Sequence, residues 1–498
     1  MNSVLALAAI VMLVLLFLKV PVYIAILGGS AVYFILNPDV NSVVFAQQAI
    51  TGTESISLLA VPFFVCAGVF MNYTGVTKRI MDFCAVITGR MCGGLAQVNV
   101  LLSTLMGGLS GSNLADAAME AKMLVPEMEA KGFSKEFSSV VTAASSMITP
   151  LIPPGIAMIL YGCIANVSIG KLFISGLGVG TLLCVSMMIL VRFVSKKRGY
   201  APLRTTRITS REFVAATKPA ILPLLLPVII IGGIRIGVFT ATEAGAVAIV
   251  YAVLLGLVYR EMHLKDAIQG LKETVCTTTS IMLIVSAACV FSWILTKERI
   301  PQQLTQYIVQ VIDNKYVFLF IINIFLLLVG MFIEGNASMI ILVPLLAPIA
   351  ASYGIDEIQF AMVYIFNNAI GALSPPMGTL MFVTCSITKC KTGAFIKEAV
   401  PFYILLFIDL MLLTYIPFFT TALVNLFYSE TQRNRCRNEK FCNGFSLNNA
   451  RGSAADFLLL GEYASYSFLY SSSSSWELSR RMGAFSAIII SEFSTSTS

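Results

Sequence analysis

Residues 107–116 could bind a cation, although they lie in strongly apolar sequence. They read Gly-Gly-Leu-Ser-Gly-Ser-Asn-Leu-Ala-Asp, a run of small and hydroxyl-bearing residues that ends in a carboxylate. Hydroxyl and carbonyl oxygens are hard ligands, and a carboxylate inside a membrane is costly and marks function by default. A close helix crossing through Gly107 and Gly111 is the structural alternative. The carboxylate and the clustered hydroxyls favour a site, with the candidate ligands Ser110, Gly111, Ser112, Asn113 and Asp116.

A second kind of chemistry is expected where a helix is broken. Residues 150–155 hold three prolines and a glycine, which end one half-helix and start another at Ile156. The amino end of that second half-helix points its amides into the break, and such an end favours anions. A simple proline kink is the alternative. The candidate substrate and broken-helix residues are Ser145, Ser146, Pro153, Pro154 and Gly155.

The same pattern of helix breakers occurs twice. Gly108, Pro126, Gly132, Pro153 and Pro154 recur, each 222 positions later, as Gly330, Pro348, Gly354, Pro375 and Pro376. Interrupted hydrophobic segments at matching places of two halves point to a transporter binding site, because freed backbone groups are tolerated only where they line a protein cavity. The second copy adds the candidate cation ligands Gly335, Asn336, Ser338 and Thr379, and the substrate or broken-helix candidates Glu334, Asn367, Asn368, Pro375 and Pro376.

The amino-acid composition indicates what kind of secondary structure must position these candidate residues. Apolar residues make up 57% of the chain and charged residues 12%, with a mean hydropathy of +0.86; a soluble domain has about 25% charged residues. We therefore predict an all-α polytopic membrane protein, surrounded by lipid. Besides the two repeat cores, apolar stretches of span length lie near 3–18, 20–37, 56–73, 171–191, 219–237, 243–259, 276–296, 316–333 and 395–427.

We divide the chain into six regions. They are N-terminal scaffold helices (1–92), the first repeat core (93–170), connecting helices (171–315), the second repeat core (316–394), a C-terminal membrane segment (395–428) and an atypical tail (429–498). The segment 192–218 carries eight Lys and Arg residues against Glu212 alone, which places this loop in the cytoplasm. The net charge of +7 therefore reflects topology and not nucleic-acid binding.

Several chemistries are excluded. A single histidine, His263, rules out a His-based metal cluster, and the scattered cysteines contain no C-x-x-C pair. There is no phosphate-binding loop for ATP hydrolysis. We expect neither an enzyme nor a cofactor. A channel is the remaining non-carrier alternative, but a channel does not require two paired broken helices.

Four stretches together resemble a known family. These are Gly-Leu-Ser-Gly-Ser-x-x-Ala-Asp (108–116), Ile-Pro-Pro (152–154), Gly-Val-Phe-Thr-Ala-Thr-Glu-Ala-Gly-Ala (237–246) and the second-half Asn-Asn and Pro-Pro core. They are similar to the large membrane subunit of tripartite ATP-independent periplasmic (TRAP) transporters, and the likeness extends to about Phe427. The resemblance implies two inverted repeats, each with a re-entrant hairpin and a discontinuous helix, and an elevator-type movement in the bacterial inner membrane.

The resemblance also implies a function. Such subunits import organic anions, such as C4-dicarboxylates or sialic acid, with sodium as the coupling ion. They take a small carboxylate from a periplasmic binding protein and work with a small four-helix membrane subunit. The hairpin tips would be 110–113 and 334–338, with Ser110 and Asp116 as sodium ligands. This chain departs from the family at Glu334, where Asp is usual, and at Gly155, where Ser is common.

Two further expectations concern the scaffold and the tail. We expect Glu243 to form a scaffold ion pair with the nearby Arg235. Residues 429–498 are rich in serine and lack helical periodicity, so we expect disorder or an altered reading frame there. A self-sufficient sodium-coupled carboxylate carrier of the same superfamily, which needs no binding protein, remains the alternative function.

Overall fold

The computed structural model describes residues 3–428 apart from Lys19, Asp39, Arg207 and Met377. Within that part of the chain every regular element is a helix. The tail, with the disorder or altered reading frame expected for it, lies outside the described residues.

The helices follow one another with short connections. The first half contains α1 (Ser3–Phe17), α2 (Val22–Leu36), α3 (Val43–Thr51), α4 (Ala60–Asn72), α5 (Val76–Thr88), α6 (Gly94–Ser110), α7 (Asn113–Ala130), α8 (Lys135–Ser145), α9 (Ile156–Ala165) and α10 (Ile169–Arg198). The second half contains α11 (Ser210–Ile236), α12 (Ala241–Tyr259), α13 (Leu264–Lys297), α14 (Ile300–Val311), α15 (Lys315–Phe332), α16 (Gly335–Ser352), α17 (Glu357–Leu373), α18 (Thr379–Thr388), α19 (Thr392–Tyr415) and α20 (Phe418–Tyr428).

Many of these helices are long and apolar enough to cross a bilayer. Among the described residues six single helices qualify, and up to nine spans result if each of three bent helix pairs counts as one. The last predicted stretch, 395–427, is such a pair, because α19 and α20 meet at an angle of 51°. The prediction of an all-α polytopic membrane protein is confirmed.

The two repeats match helix by helix. α6 ends at Ser110 and α15 ends at Phe332, 222 positions later, while α7 begins at Asn113 and α16 at Gly335 with the same separation. The same shift relates the first residue of α8, Lys135, to that of α17, Glu357, although α17 continues further, to Leu373. Short helices beyond each proline pair, α9 and α18, complete the match. The interruption pattern in the sequence therefore corresponds to a repeated four-helix core.

Both ends of the first hairpin, α6–α7, lie beside Tyr200, which belongs to the basic segment 192–218. Tyr200, which directly follows α10, accepts the Gly93 N–H through its carbonyl oxygen (3.4 Å) and the Ser134 N–H through its hydroxyl (3.2 Å). Its ring also packs on Phe133, with centroids 4.4 Å apart. The chain thus enters and leaves on the same side, as a re-entrant hairpin does.

Tyr200 lies outside the spans, and its environment alters its acidity. Burial raises the pKa of Tyr200, but hydrogen bonds with Ser134 and the nearby Arg198 guanidinium outweigh burial and lower that pKa below its ordinary value. The hydroxyl accepts the Ser134 N–H and donates to the Ser134 side-chain oxygen at 3.3 Å, which holds the base of the hairpin together.

The second hairpin, α15–α16, is closed in the same way. Tyr353, just after α16, stacks on Phe318 near the start of α15, with ring centroids 4.5 Å apart. Its hydroxyl donates to the carbonyl oxygen of Ile312 at 2.6 Å. The two ends of this hairpin therefore also lie together.

The repeats run in opposite directions through the protein. Ser139, in the first turns of α8, donates to the Thr388 hydroxyl at the end of α18 over 3.0 Å. At the same end, Arg198 pairs with Glu398 of α19 at 2.7 Å. Since the start of the broken helix in one repeat meets the end of the broken helix in the other, the repeats are inverted.

The expected scaffold ion pair is wrong. Glu243 instead accepts the Thr240 N–H at 2.7 Å and forms a capping box at the start of α12. Arg235 donates to the carbonyl oxygen of Phe427 at 3.2 Å, and its guanidinium lies over the Phe427 ring. Because a capping box satisfies helix-end amides, Glu243 stabilises its own helix.

Candidate functional site

The tips of both hairpins and both helix breaks meet at one cavity of about 120 Å³. Its walls include the first residues of four helices, namely Asn113 of α7, Ile156 of α9, Gly335 of α16 and Thr379 of α18. The predicted site residues that line it are Gly111, Ser112, Asn113, Glu334, Gly335, Asn336, Asn368 and Thr379. The fold thus brings together residues that are more than 200 positions apart.

Asp116 lies buried next to this cavity, one turn into α7. The Ser110 hydroxyl donates to one of its carboxylate oxygens at 2.6 Å, and the Thr149 hydroxyl donates to the other at 2.8 Å. Only 1% of Asp116 is exposed. A buried carboxylate held by two hydroxyls is an oxygen-rich cluster of the kind that binds a small hard cation.

The conformation of the first tip depends on glycine. Gly111 adopts a left-handed conformation (φ 64°) that ends α6, and a side chain there would be strained. Its carbonyl oxygen accepts the Ile156 N–H at 3.5 Å, which joins the tip to the start of α9. Ser112 then caps α7 by accepting the Ala115 N–H. The first hairpin tip is therefore tied to the first broken helix.

The second tip is built around Glu334. This residue caps α16, and one of its carboxylate oxygens accepts a hydrogen bond from the Asn336 side chain at 2.9 Å. The Asn368 side chain donates to the Gly335 carbonyl oxygen at 2.7 Å, which joins this tip to α17. The tips correspond in position, since Ser112 and Glu334 are 222 residues apart, but only the second tip exposes a carboxylate to the cavity.

Other predicted residues lie behind the cavity walls. Ser145 contacts the Ser103 hydroxyl at 2.9 Å, and Ser146 donates to the Ala143 carbonyl oxygen within its own helix. Ser338 shares a hydrogen bond of 3.1 Å with the Tyr364 hydroxyl.

Asn367 and the two proline pairs are further predicted residues that do not line the cavity. The Asn367 side chain donates to the side-chain oxygen of Asn323 at 2.8 Å. The pairs Pro153–Pro154 and Pro375–Pro376 form the two breaks, each with a cis peptide bond. These residues and those around Ser145 and Ser338 shape the surroundings of the cavity and are not among its lining residues.

The amino ends of α9 and α18 differ from those of α7 and α16. Gly155 and Gly378 precede α9 and α18, neither end has a side-chain cap, and neither helix has an acidic residue in its first turn. By contrast, Ser112 and Glu334 cap α7 and α16 with their side chains. Uncapped amino ends carry partial positive charge, and apart from the Ile156 N–H, which Gly111 accepts, their first amides have no side-chain cap, so this side of the cavity suits an anion.

Sequence reasoning missed Thr149. It lies 33 residues from Asp116, in the break itself, and only the fold of the broken helix brings its hydroxyl to that carboxylate. The available signal was the Thr-Pro pair at 149–150, since a polar residue beside a break in apolar sequence faces protein and not lipid. Glu120 was also missed and is fully buried.

Comparisons with known proteins agree with this architecture. Residues 9–419 match the family model described as tripartite ATP-independent periplasmic transporter, DctM component. The chain is 40% identical over 414 residues to a sialic acid TRAP transporter large permease protein of Vibrio cholerae, covering 83% of this chain and 96% of that protein.

Two further relatives and one solved structure are informative. A C4-dicarboxylate TRAP transporter large permease protein of Pseudomonas aeruginosa is 36% identical, with 80% and 93% coverage, and a 2,3-diketo-L-gulonate TRAP transporter large permease protein of Escherichia coli is 35% identical, with 79% and 92% coverage. The Alcanivorax borkumensis YdaH transporter superposes with a TM-score of 0.54 at 15% identity, covering 83% of this chain and 98% of that one. This last likeness concerns the fold alone.

Proposed function

Because the chain belongs to the tripartite ATP-independent periplasmic transporter family as a DctM component, we propose that it is the large permease subunit of a sodium-coupled importer of an organic anion. The observation that carries this proposal is the two-sided cavity. Asp116 and its two hydroxyl partners lie buried behind the first hairpin tip, and the uncapped amino ends of α9 and α18 line the cavity itself.

The anion side supports a carboxylate as cargo. The names of the three relatives specify sialic acid, C4-dicarboxylates and 2,3-diketo-L-gulonate, which are all carboxylic acids. Ala157 and Leu380 are the second residues of α9 and α18, and both line the cavity. Backbone amides at two helix ends bind a carboxylate without a cationic side chain.

The cation side supports sodium. The carboxyl group of Asp116 makes its described hydrogen bonds with two neutral hydroxyls, and the ion pairs among the described residues do not include it. A bound monovalent cation would balance its charge, and the hydroxyl oxygens would turn their lone pairs to the ion. Coupling follows because the cation lowers the cost of placing an anion beside a buried carboxylate.

The distribution of the lining residues supports elevator-type movement. The cavity residues all belong to the two repeat cores, between 111–157 and 334–380, and none comes from α11, α12 or α13. A site formed by the repeat cores alone can cross the membrane together with these cores, while the remaining helices stay in place as a scaffold.

We further propose that the subunit works with a periplasmic binding protein and a small four-helix membrane subunit. This follows from family membership. A self-sufficient carrier is the contrasting outcome, in which the chain alone transports at the full rate.

The test is uptake into proteoliposomes that contain the full chain with both partner proteins. We expect sialic acid or a C4-dicarboxylate to accumulate only under an inward sodium gradient and only when the binding protein is present. Equal uptake driven by a proton gradient in sodium-free buffer contradicts sodium coupling. An unchanged rate without the binding protein and the small subunit supports the self-sufficient carrier.

A further inference from the structure

A second carboxyl group, Glu120, lies inside the first repeat and takes no part in the cavity. It is completely buried, one helical turn after Asp116 on α7. One of its oxygens, Oε2, lies 2.7 Å from the Ser103 hydroxyl, and the other, Oε1, is buried without a hydrogen-bond partner. Such an arrangement is a poor environment for a negative charge.

No described cation compensates this group. The ion pairs in the described part of the chain involve Arg79, Lys135, Arg198 and Arg204 with other acids. Burying an unpaired ionised carboxylate costs far more than burying a hydrogen-bonded neutral group, so a buried acid of this kind takes up a proton instead.

The titratable groups around Glu120 do not change that conclusion. The two that lie within electrostatic range are Asp116 on the same helix and the Cys84 thiol of α5, and neither carries a positive charge. Of the elements packed against α7, neither α6 nor the short turn Thr149–Leu151 contains a titratable side chain. α18 contains the Cys385 thiol, and α8 has Lys135 and Glu136 in its first turn. Lys135 pairs with Glu129, at 3.8 Å.

We propose that Glu120 is a proton-binding residue, neutral in the folded transporter, whose carboxylic acid group donates a hydrogen bond to Ser103. The proton comes from solvent and stays on Oε2. This proposal holds whichever ion drives transport, and it therefore stands apart from the proposed function.

A chain of hydrogen bonds beyond Ser103 is arranged so that Ser103 can accept from a protonated Glu120. With the hydrogen on Glu120, the Ser103 hydroxyl is free to donate to the Ser145 hydroxyl, 2.9 Å away. Ser145 donates to the side-chain oxygen of Asn99 at 3.2 Å, and Asn99 donates to the Thr142 hydroxyl at 2.6 Å. Each group then donates to the next, across α7, α6 and α8.

The second repeat shows that the fold does not need this acid. The positions 222 residues after Asn99, Ser103 and Glu120 are Ile321, Phe325 and Leu342. All three residues are apolar, and Ile321 and Phe325 are exposed, so the second repeat has no buried acid at the matching place. The polar chain around Glu120 is a property of the first repeat alone, beside its cation-site acid.

A neutral Glu120 has a consequence for its neighbour. If both acids on this face of α7 were ionised, their repulsion would add to the cost of burial. With a proton on Glu120, Asp116 is the only charged carboxylate in this part of the first repeat, which matches one monovalent cation.

Infrared spectroscopy of the purified full chain in lipid tests the proposal. At neutral pH, wild-type protein should show a protonated-carboxyl C=O band that is lost in Glu120→Gln, which keeps the shape and the neutral state. Glu127→Gln, an exposed acid on the same helix, should leave that band unchanged. Loss of a carboxylate band in Glu120→Gln, with the C=O band retained, overturns the proposal.

A second variant keeps the test decisive if Glu120→Gln does not fold. Ser103→Ala retains Glu120 but removes its hydrogen-bond partner, so the protonated-carboxyl band should move to a higher frequency. An unchanged band in Ser103→Ala contradicts the proposed hydrogen bond and overturns the assignment. Sodium coupling is measured separately by uptake. A failure of the Glu120 proposal can therefore be distinguished from a failure of the proposed sodium coupling.

Discussion

The Thr149 hydroxyl lies 2.8 Å from the carboxylate of Asp116, although Asp116 belongs to the first hairpin and Thr149 to the broken helix. This bond makes the candidate cation site a junction between two elements. Since Ile156 and Gly111 join the same elements nearby, we expect a cation bound there to stiffen the cavity wall at which we propose that the anion binds.

Asp116→Asn should raise the half-saturating sodium concentration for uptake at least tenfold. Two charges about 4 Å apart interact by roughly 4 kcal/mol at an effective dielectric near 20, and about 1.4 kcal/mol corresponds to a factor of ten. The measurement is sodium-dependent uptake in proteoliposomes at matched protein. Glu127→Gln on the same helix is the control. An unchanged sodium dependence in Asp116→Asn shows that the assignment of the cation site is wrong.

Thr149→Val should weaken sodium dependence less than Asp116→Asn, because it removes one neutral oxygen and keeps the branched shape. Loss of one hydrogen-bonding group is worth about 1 kcal/mol, or roughly fivefold in half-saturating sodium. Thr149→Ser retains the hydroxyl and should remain close to wild type. Equal effects of Val and Ser would mean that the methyl group matters and the hydroxyl does not.

Thr379→Pro should weaken substrate binding, because it removes the backbone N–H at the first residue of α18. Proline suits this position, and the preceding Gly378 has a non-helical backbone (φ −53°, ψ 111°). Loss of a charge-assisted hydrogen bond of about 1.5 kcal/mol predicts a roughly tenfold rise in half-saturating substrate. Thr379→Val, the matched control, keeps the amide and removes the hydroxyl. If both variants behave alike, the amide does not contact the substrate.

Gly371→Ala should lower thermal stability. A β-carbon at Gly371 would lie 2.6 Å from Cα of Gly330, where the second hairpin crosses α17. Overpacking of this kind costs about 1–3 kcal/mol. Gly393→Ala is the control, since nothing lies within 4 Å of a β-carbon there and alanine favours the helix. A melting temperature for Gly371→Ala equal to that of Gly393→Ala would contradict this close contact.

The repeat could be predicted from sequence because proline and glycine interrupt helices within apolar segments. Pro153 and Pro375 mark breaks whatever surrounds them, and their constant separation predicts matching elements. The contact between Thr149 and Asp116 could not be predicted in this way, because it depends on how the broken helix folds against the hairpin.

Side-chain partners were the least predictable feature. Proximity in sequence suggested that Arg235 pairs with Glu243, but the capping geometry at Thr240 provides a nearer partner for the carboxylate. Likewise, the buried position of Glu120 follows from the packing of α6, α7 and α8, and hydropathy patterns do not distinguish it from the exposed Glu127 on the same helix.

The shortness of the half-helices also has a consequence for biosynthesis. α9 and α18 have 10 residues each, whereas a transmembrane helix needs about 20. Neither segment can therefore be recognised by the insertion machinery as a membrane span by itself. We expect each to stay at the translocon or the bilayer interface until longer neighbours such as α10 and α19 have been made. The cavity would then be the last part of the protein to mature, after most of the chain has left the ribosome.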